Sequence, residues 1–406
     1  MSSSKSSFSA LAKTSLSPQE KLAPVKTGHQ QFFIGLPREI ALQEKRIPLT
    51  PDAVALLVAN GHDVWIETKA GEGSNFSDRE YSEAGAKIAY SPQEVYKADI
   101  ILKIEPPTLP EIELMKPGQT LISAIQLGHL DKEYIDQLLN KKVTALAYEF
   151  IEDKGGGMPV IRVLSEIAGI AAISVASQYL STAESGRGVV LGGVTGVPPT
   201  KMVIIGAGTV AENIARIALS MGVEIQIFDN HLYKLRRIKH LLGHQVYTST
   251  IDTIGLAETL KTADVVIGAL RAEKGRVRHV VSEEMVRQMK PGSVIIDLSI
   301  DQGGCIATSE ITTHHHPVFR KYDIIHYCVP NISSRVARTA TTALSNFFTP
   351  TILRASEEGG IDEVIFRQNG YRKGVYTFKG SLTNEAVAAR FGMKSKNIEL
   401  LLAARL

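Results

Sequence analysis

The residues of this chain best suited to chemistry by type and spacing are two glycines and an acid. Gly206-Ala207-Gly208-Thr209-Val210-Ala211 has the pattern GxGxxA, and Asp229 follows 21 residues beyond Gly208. In such a run the first glycine permits a tight turn and the second lets backbone N–H groups approach an anion. The small Ala211 lets a following helix pack closely on the preceding strand. The free N–H groups and partial positive charge of that helix N-terminus stabilise a diphosphate. An acid at the end of the next strand accepts hydrogen bonds from a ribose and repels a 2′-phosphate. The chemistry is that of a dinucleotide site selecting NAD over NADP.

The flanks decide between a ligand site and a glycine turn kept for packing alone. Residues 202–205 form a short apolar, β-branched run that suits a buried strand. Val210, Ile214, Ala215, Ala218 and Leu219 recur at helical spacing, Gly222 closes that helix, and residues 224–228 read as the next strand, ending in Asp229. Strand, turn, helix and acid agree.

The rest of the chain supplies the elements that must position this turn. Strand patterns begin near Phe32 and recur at 63–67, 98–104, 119–125 and 143–149, with surface-helix patterns at 78–85 and 130–142. Thr50-Pro51-Asp52 is a capped helix start, and that helix ends at 60–61. Repeated strand-then-helix units imply a parallel sheet covered by helices. Residues 165–181 are apolar around most of a helix circumference, which predicts a helix buried between domains. Beyond Asp229 the pattern predicts a helix over 233–242 and strands at 264–269, 293–299 and 324–329. A long helix from 334 towards 349 then returns the chain to the first domain. The predicted fold class is α/β: two Rossmann-like doubly wound parallel-sheet domains with an interdomain cleft, where ligands bind at strand C-terminal ends. The expected boundaries are a tail at 1–28, a substrate domain of 29–160 plus 338–406, and a cofactor domain of 161–337.

Composition narrows the function classes. With 406 residues, 44% hydrophobic and 21% charged, the chain has material for two cores, and a net charge of +3 without a long basic block gives nucleic acid no footing. The small cluster Lys234, Arg236, Arg237 and Lys239 reads as a solvated helix face. Cys305 and Cys328 are too few for a disulfide framework, fit a reducing compartment and read as buried bystanders. No apolar run is read as reaching the roughly 18–20 residues needed to span a bilayer, so no membrane segment is expected. The first 28 residues lack the apolar block of a secretory signal and read as a disordered tail. A cytoplasmic location follows as the expectation.

Blocks outside the glycine turn extend the reading. IGLPREIALQEKRIPLTP, GHDVWIETKAGEGSNFSDREYSEAGA, LSEIAG, GRGVVLGGVTGVPPTKMVIIGAGTVAENIARIALSMG, MKPGSVIIDLSIDQGGC and HYCVPNI occur in order across residues 32–350. Together they resemble the alanine dehydrogenase family, which shares its fold with the NAD-binding subunit of proton-translocating transhydrogenase. The resemblance implies that Arg46 binds a substrate carboxylate, a contact its planar fork suits in bidentate form. It places Asp301, in a turn before Gln302-Gly303-Gly304, near the nicotinamide and substrate. Ser165, Gly206, Gly208, Thr209, Asp229, Lys234, Leu270 and Asn331 resemble cofactor-contacting positions. The implied activity is NAD-dependent oxidative deamination of L-alanine to pyruvate and ammonia. The implied partners are a small amino acid and further copies of the chain, as a hexamer or dimer.

Two positions depart from the family pattern. A KVKEP-like run whose second lysine contacts substrate reads Lys103-Ile104-Glu105-Pro106-Pro107 here, so the charge is reversed at Glu105 unless Lys103 substitutes. A block resembling LFTFLHLA, whose histidine is the acid/base, reads LISAIQLGHL, with Gln126 in the histidine's place. Glutamine hydrogen-bonds but does not titrate near neutral pH, so it shuttles no proton. His129, three residues on, is the alternative. These departures leave open a transhydrogenase-like hydride carrier, an NAD-binding protein that has lost amino-acid chemistry, and a larger substrate such as saccharopine dehydrogenases take.

Overall fold

The computed structural model describes residues 30–126, 130–271 and 277–403, so the segment 1–28 and His129 lie outside the described residues. The first sheet begins with β1 (Phe33–Leu36), β2 (Asp63–Glu67), β3 (Lys87–Ala89), β4 (Ile100–Leu102), β5 (Thr120–Ser123) and β6 (Thr144–Ala147). The second is built from β7 (Lys201–Ile205), β8 (Glu224–Phe228), β9 (Tyr247–Ser249), β10 (Val265–Gly268), β11 (Val294–Asp297), β12 (Val318–Lys321) and β13 (Ile324–Tyr327). The chain then returns to the first sheet with β14 (Val375–Phe378) and β15 (Ser381–Leu382).

Strand order explains where ligands can sit. The first sheet runs β3-β2-β1-β4-β5-β6-β14-β15 and the second β9-β8-β7-β10-β11-β13-β12. The parallel strands of each sheet reverse their order between β1 and β4 in one and between β7 and β10 in the other, and a crevice opens at such a switch point beyond the strand C-termini. The central strands β4, β10 and β11 are buried at every residue, as strands covered by helices on both faces must be.

The sheets are parallel except at their margins, a departure from the purely parallel expectation. β12 runs antiparallel to β13, and β14 runs antiparallel to both β6 and β15. Both hairpins close through two residues with positive φ, Tyr322-Asp323 (55° and 59°) and Lys379-Gly380 (48° and 84°). That conformation matches the twist of paired strands and allows direct reversal without a crossover helix.

Five helices position the site. α1 (Pro51–Ala59) begins as the sequence indicates, with Thr50 Oγ1 accepting from the Ala53 N–H at 3.3 Å. α2 (Pro159–Leu180) starts six residues earlier than the apolar pattern suggests, because Pro159 fills the first helical position. By length and composition alone it is apolar enough to cross a membrane, with a mean hydropathy of 1.7, which corrects the reading that no run reaches that length. In the fold, Ala171, Ala172, Val175 and Ala176 bury it in the core of the second sheet, where it packs along α3 (Thr209–Ser220). α4 (Leu232–Leu242) follows β8. α5 (Ala337–Glu358) runs further than expected, to a Gly359 cap at φ 95°, and carries Leu344, Phe348 and Ile352 into the first core.

Candidate active site

The glycine turn lies at the switch point of the second sheet. Gly206 has φ +116°, and a Cβ there would stand 2.4 Å from the Ala269 carbonyl oxygen just beyond β10, so no side chain fits. Gly208 is the opposite case: a Cβ would meet nothing within 4 Å. It faces open space at the head of α3, whose first turn receives no side-chain cap. Close backbone, open space and an uncapped helix N-terminus fit a diphosphate.

Asp229 does more than wait for a ribose. Its Oδ2 accepts from the Ala207 N–H at 2.8 Å, while Oδ1 accepts from the His231 N–H at 2.8 Å and meets His231 Nδ1 at 3.0 Å. The acid therefore ties the end of β8 to the glycine turn. Arg237, read as solvated, donates from Nη2 to the Ala207 carbonyl at 3.1 Å. Lys234 is half-buried beside Tyr233.

A cleft of about 1540 Å³ separates the sheets and brings together Arg46, Glu105, Gln126, Ser165, Leu270, Asp301 and Asn331. Val210 carries the wall to the glycine turn, while Gly206, Gly208, Thr209, Asp229 and Lys234 are not themselves lining residues. The arrangement follows from topology. Arg46 stands on the loop between β1 and α1, Glu105 and Gln126 just past β4 and β5, and Leu270, Asp301 and Asn331 just past β10, β11 and β13.

Arg46 is held differently from the expectation. Its Nε and Nη2 bind Glu44 Oε1 and Oε2 at 2.7 and 2.6 Å, so the fork expected to grip a substrate carboxylate grips a neighbouring side chain. Nη1 makes no bond among the described residues, and Nη2 also approaches Glu105 Oε1 at 3.4 Å. Burial alone would raise the Glu44 carboxyl, but the Arg46 guanidinium and donors from Asn331 and the Arg46 N–H bring it down to about 2. Burial opposes the Arg46 charge in turn, and Glu44 outweighs it, keeping the guanidinium protonated.

Glu105 shows the reverse. Burial, then the Glu44 charge, pushes its carboxyl well above the usual carboxylate range, with Arg46 pulling the other way. The Gln126 side-chain amide donates to Glu105 Oε2. Gln126 itself sits at φ +46°, pinned because Glu149 Oε1 accepts from both the Ile125 and Gln126 N–H groups at 2.9 and 3.1 Å. Lys103 does not restore the missing charge. It is 1% exposed and binds Glu111 at 2.8 Å and Glu39 at 3.3 Å, behind the cleft wall.

On the opposite wall, Asn331 Nδ2 donates to Glu44 Oε2 at 3.0 Å and to the Leu42 carbonyl at 3.2 Å, linking the second sheet to the arginine loop. Asp301 lies in a short turn, Ile300–Gln302, set by buried Asp297. The Asp297 carboxylate accepts from the Ser299 and Cys305 N–H groups, both at 3.0 Å, and from Ser309 Oγ at 2.8 Å. Cys305 and Cys328 are buried free thiols as expected, the latter pushed up to about 12 by burial.

Comparison with known proteins agrees with this layout. The family model described as alanine dehydrogenase/PNT, N-terminal domain, matches residues 35–168, and its C-terminal counterpart matches 172–385. The chain belongs to the alanine dehydrogenase/PNT family. It is 40% identical over 359 residues to the alanine dehydrogenase of Methanococcus maripaludis, covering 88% of this chain and 96% of that protein. It is 38% identical to that of Bacillus subtilis, covering 89% and 95%. A solved L-alanine dehydrogenase superposes with a TM-score of 0.81 at 34% identity, covering 88% of this chain and 99% of the other. The transhydrogenase of Sinorhizobium meliloti shares the fold, with a TM-score of 0.73 at 23% identity, covering 87% and 99%.

Glu44, Glu149, Asp297 and Arg237 hold parts of the candidate site in place, and sequence reasoning did not single them out for that. Only Glu44 left a signal: it stands two residues before Arg46 in a non-helical stretch, where alternate residues share a side. The others act through contacts between distant segments.

Proposed function

We propose that this protein is an NAD-dependent alanine dehydrogenase that converts L-alanine to pyruvate and ammonia. The observation that carries the proposal is the meeting of two switch points in one cleft, with Arg46 beyond β1 and the Gly206–Val210 turn beyond β7. The names of the relatives at 38–40% identity support it. In this reading residues 161–337 hold NAD, and 29–160 with 338–406 hold the substrate. The turn and α3 N-terminus hold the diphosphate, Asp229 and Lys234 the adenosine side, and Ser165, Leu270 and Asn331 the nicotinamide side. Held there, NAD would supply the acceptor for hydride from the substrate α-carbon. The substrate carboxylate is held by the free Nη1 edge of Arg46, the edge that Glu44 leaves available. Asp301 orients the amine or the attacking water, and closure of the cleft excludes bulk water. The chain works in the cytoplasm as a homo-oligomer, a hexamer or dimer.

The test is NADH absorbance on mixing protein, NAD and L-alanine at alkaline pH. A steady rise is expected; a flat trace across all small amino acids rejects the proposal. A second reading, an NAD-binding protein or transhydrogenase-like hydride carrier without amino-acid turnover, is favoured by Glu105 and Gln126 and by the capture of the Arg46 fork. NAD binding with a flat trace supports that reading.

A further inference from the structure

Oxidative deamination moves protons as well as hydride, and Gln126 carries none. The groups that face one another across the β1, β4, β5 and β6 ends are Glu44, Arg46, Glu105, Tyr148 and Glu149, with Glu39 behind. We propose that Glu105 is the proton carrier of the cleft, a catalytic residue held between Arg46, Glu44 and Gln126 that exchanges a proton with the substrate nitrogen and the attacking water. The proposal rests on the deamination reading above.

Three features carry it. First, Glu105 is a cleft-lining carboxyl only 2% exposed, within a protein-enclosed wall rather than on a solvated surface. Second, Glu105 and Glu44 flank the same Arg46 Nη2, at 3.4 and 2.6 Å, and two carboxyl groups so close raise one another's affinity for a proton. Glu44 keeps the charge because it accepts from the Lys45 and Arg46 N–H groups, Arg46 Nε and Nη2, and Asn331 Nδ2, so of the two carboxyls Glu105 is the one that takes up a proton more readily. Third, Gln126 in its strained conformation donates to Glu105 Oε2 and fixes the direction of the carboxyl. Glu149 also lines the cleft, but its Oε1 holds two backbone N–H groups and so positions the Gln126 loop.

The proton balance closes on this one group. After the amine, as free base, loses hydride from its α-carbon, an iminium remains. Glu105 enters this step ionised, its proton having passed to solvent at the alkaline pH of the reaction; water adds to that carbon as the C=N π bond breaks, a C–O bond forms, and one of the water's protons passes to the Glu105 carboxylate. Glu105 returns that proton to nitrogen as the C–N bond breaks. The hydroxyl proton moves to Glu105 as the C=O bond forms, ammonia leaves, and one proton passes to solvent.

The test compares wild type with Glu105→Gln, which keeps the side-chain shape and one of the two acceptors and carries no acid proton, and with Glu149→Gln. In infrared difference spectra between neutral and alkaline pH, the wild type loses a protonated-carboxyl band that is missing from the difference spectrum of Glu105→Gln. With NAD and alanine, kcat falls by about 10²- to 10⁴-fold in Glu105→Gln, and the limb of the pH profile set by this group disappears, while NAD binding by calorimetry is unchanged. Glu105→Asp recovers part of the rate. A carboxyl difference spectrum and pH limb unchanged from wild type in Glu105→Gln, or changed only in Glu149→Gln, overturns the proposal. A wild type that shows the band yet turns over no amino acid overturns the deamination reading and, with it, the carrier role.

Discussion

Alanine in place of Gly206 and of Gly208 separates what the glycine turn does for folding from what it does for binding. At Gly206 the new methyl meets φ +116° and a carbonyl oxygen at 2.4 Å, so the ends of β7 and β10 must part. The backbone conformation alone costs about 1–3 kcal/mol, and at about 2–4 °C per kcal/mol for a domain of 150–250 residues the Tm falls by roughly 2–12 °C. At Gly208, φ is −83° and the methyl meets nothing within 4 Å. Its poorer cap and its stiffer unfolded chain offset each other to within about 1 kcal/mol. Its methyl nevertheless projects into the space a diphosphate needs. Thermal denaturation without ligand and calorimetric titration with NAD measure the two effects. Gly206→Ala is expected to lose both stability and affinity, and Gly208→Ala affinity alone. A Gly208→Ala protein that binds NAD as wild type does, or a Gly206→Ala protein as stable as wild type, refutes the assignment of the turn.

Glu44→Gln leaves buried Arg46 without its counter-charge and is expected to cost about 3–5 kcal/mol in urea denaturation, as breaking one side of a buried pair does. Because the Glu44 carboxyl is held down from its ordinary 4.5 to about 2, its contribution is present above pH 4.5 and is lost as pH falls towards 2. Acid unfolding of Glu44→Gln is therefore shallower over that window. Asp297→Asn keeps one acceptor where the Ser299, Cys305 and Ile306 N–H groups need two. About 1–3 kcal/mol per stranded donor is expected, and the Asp301 turn shifts, so kcat drops while NAD affinity holds. Equal loss of both would place Asp297 in global folding only.

Much of this was legible because it is local. The GxGxxA turn, its strand and helix, and Asp229 lie within one short stretch, and their mutual geometry is dictated by glycine sterics and helix periodicity. Arg46 was legible as a site residue, but its partner was not. The arginine loop is shaped by positive φ at Leu42 and Gln43 and by Asn331, which stands 289 residues from Leu42. Lys103 read as a spare cation because its partner Glu111 stands on the next helix and Glu39 on the loop after β1, contacts that appear only when the sheet assembles. The antiparallel margins were missed for a similar reason: the residues of β12, Val-Phe-Arg-Lys, carry no buried-strand pattern, and β14 pairs with β6 from more than 200 residues downstream.

The central claim, that the cleft transfers hydride from an amino-acid α-carbon to NAD, is tested most directly with L-alanine deuterated at Cα. The account expects NADH carrying the deuterium, formed more slowly than from unlabelled alanine. NADH without deuterium, or NAD bound and never reduced, contradicts it.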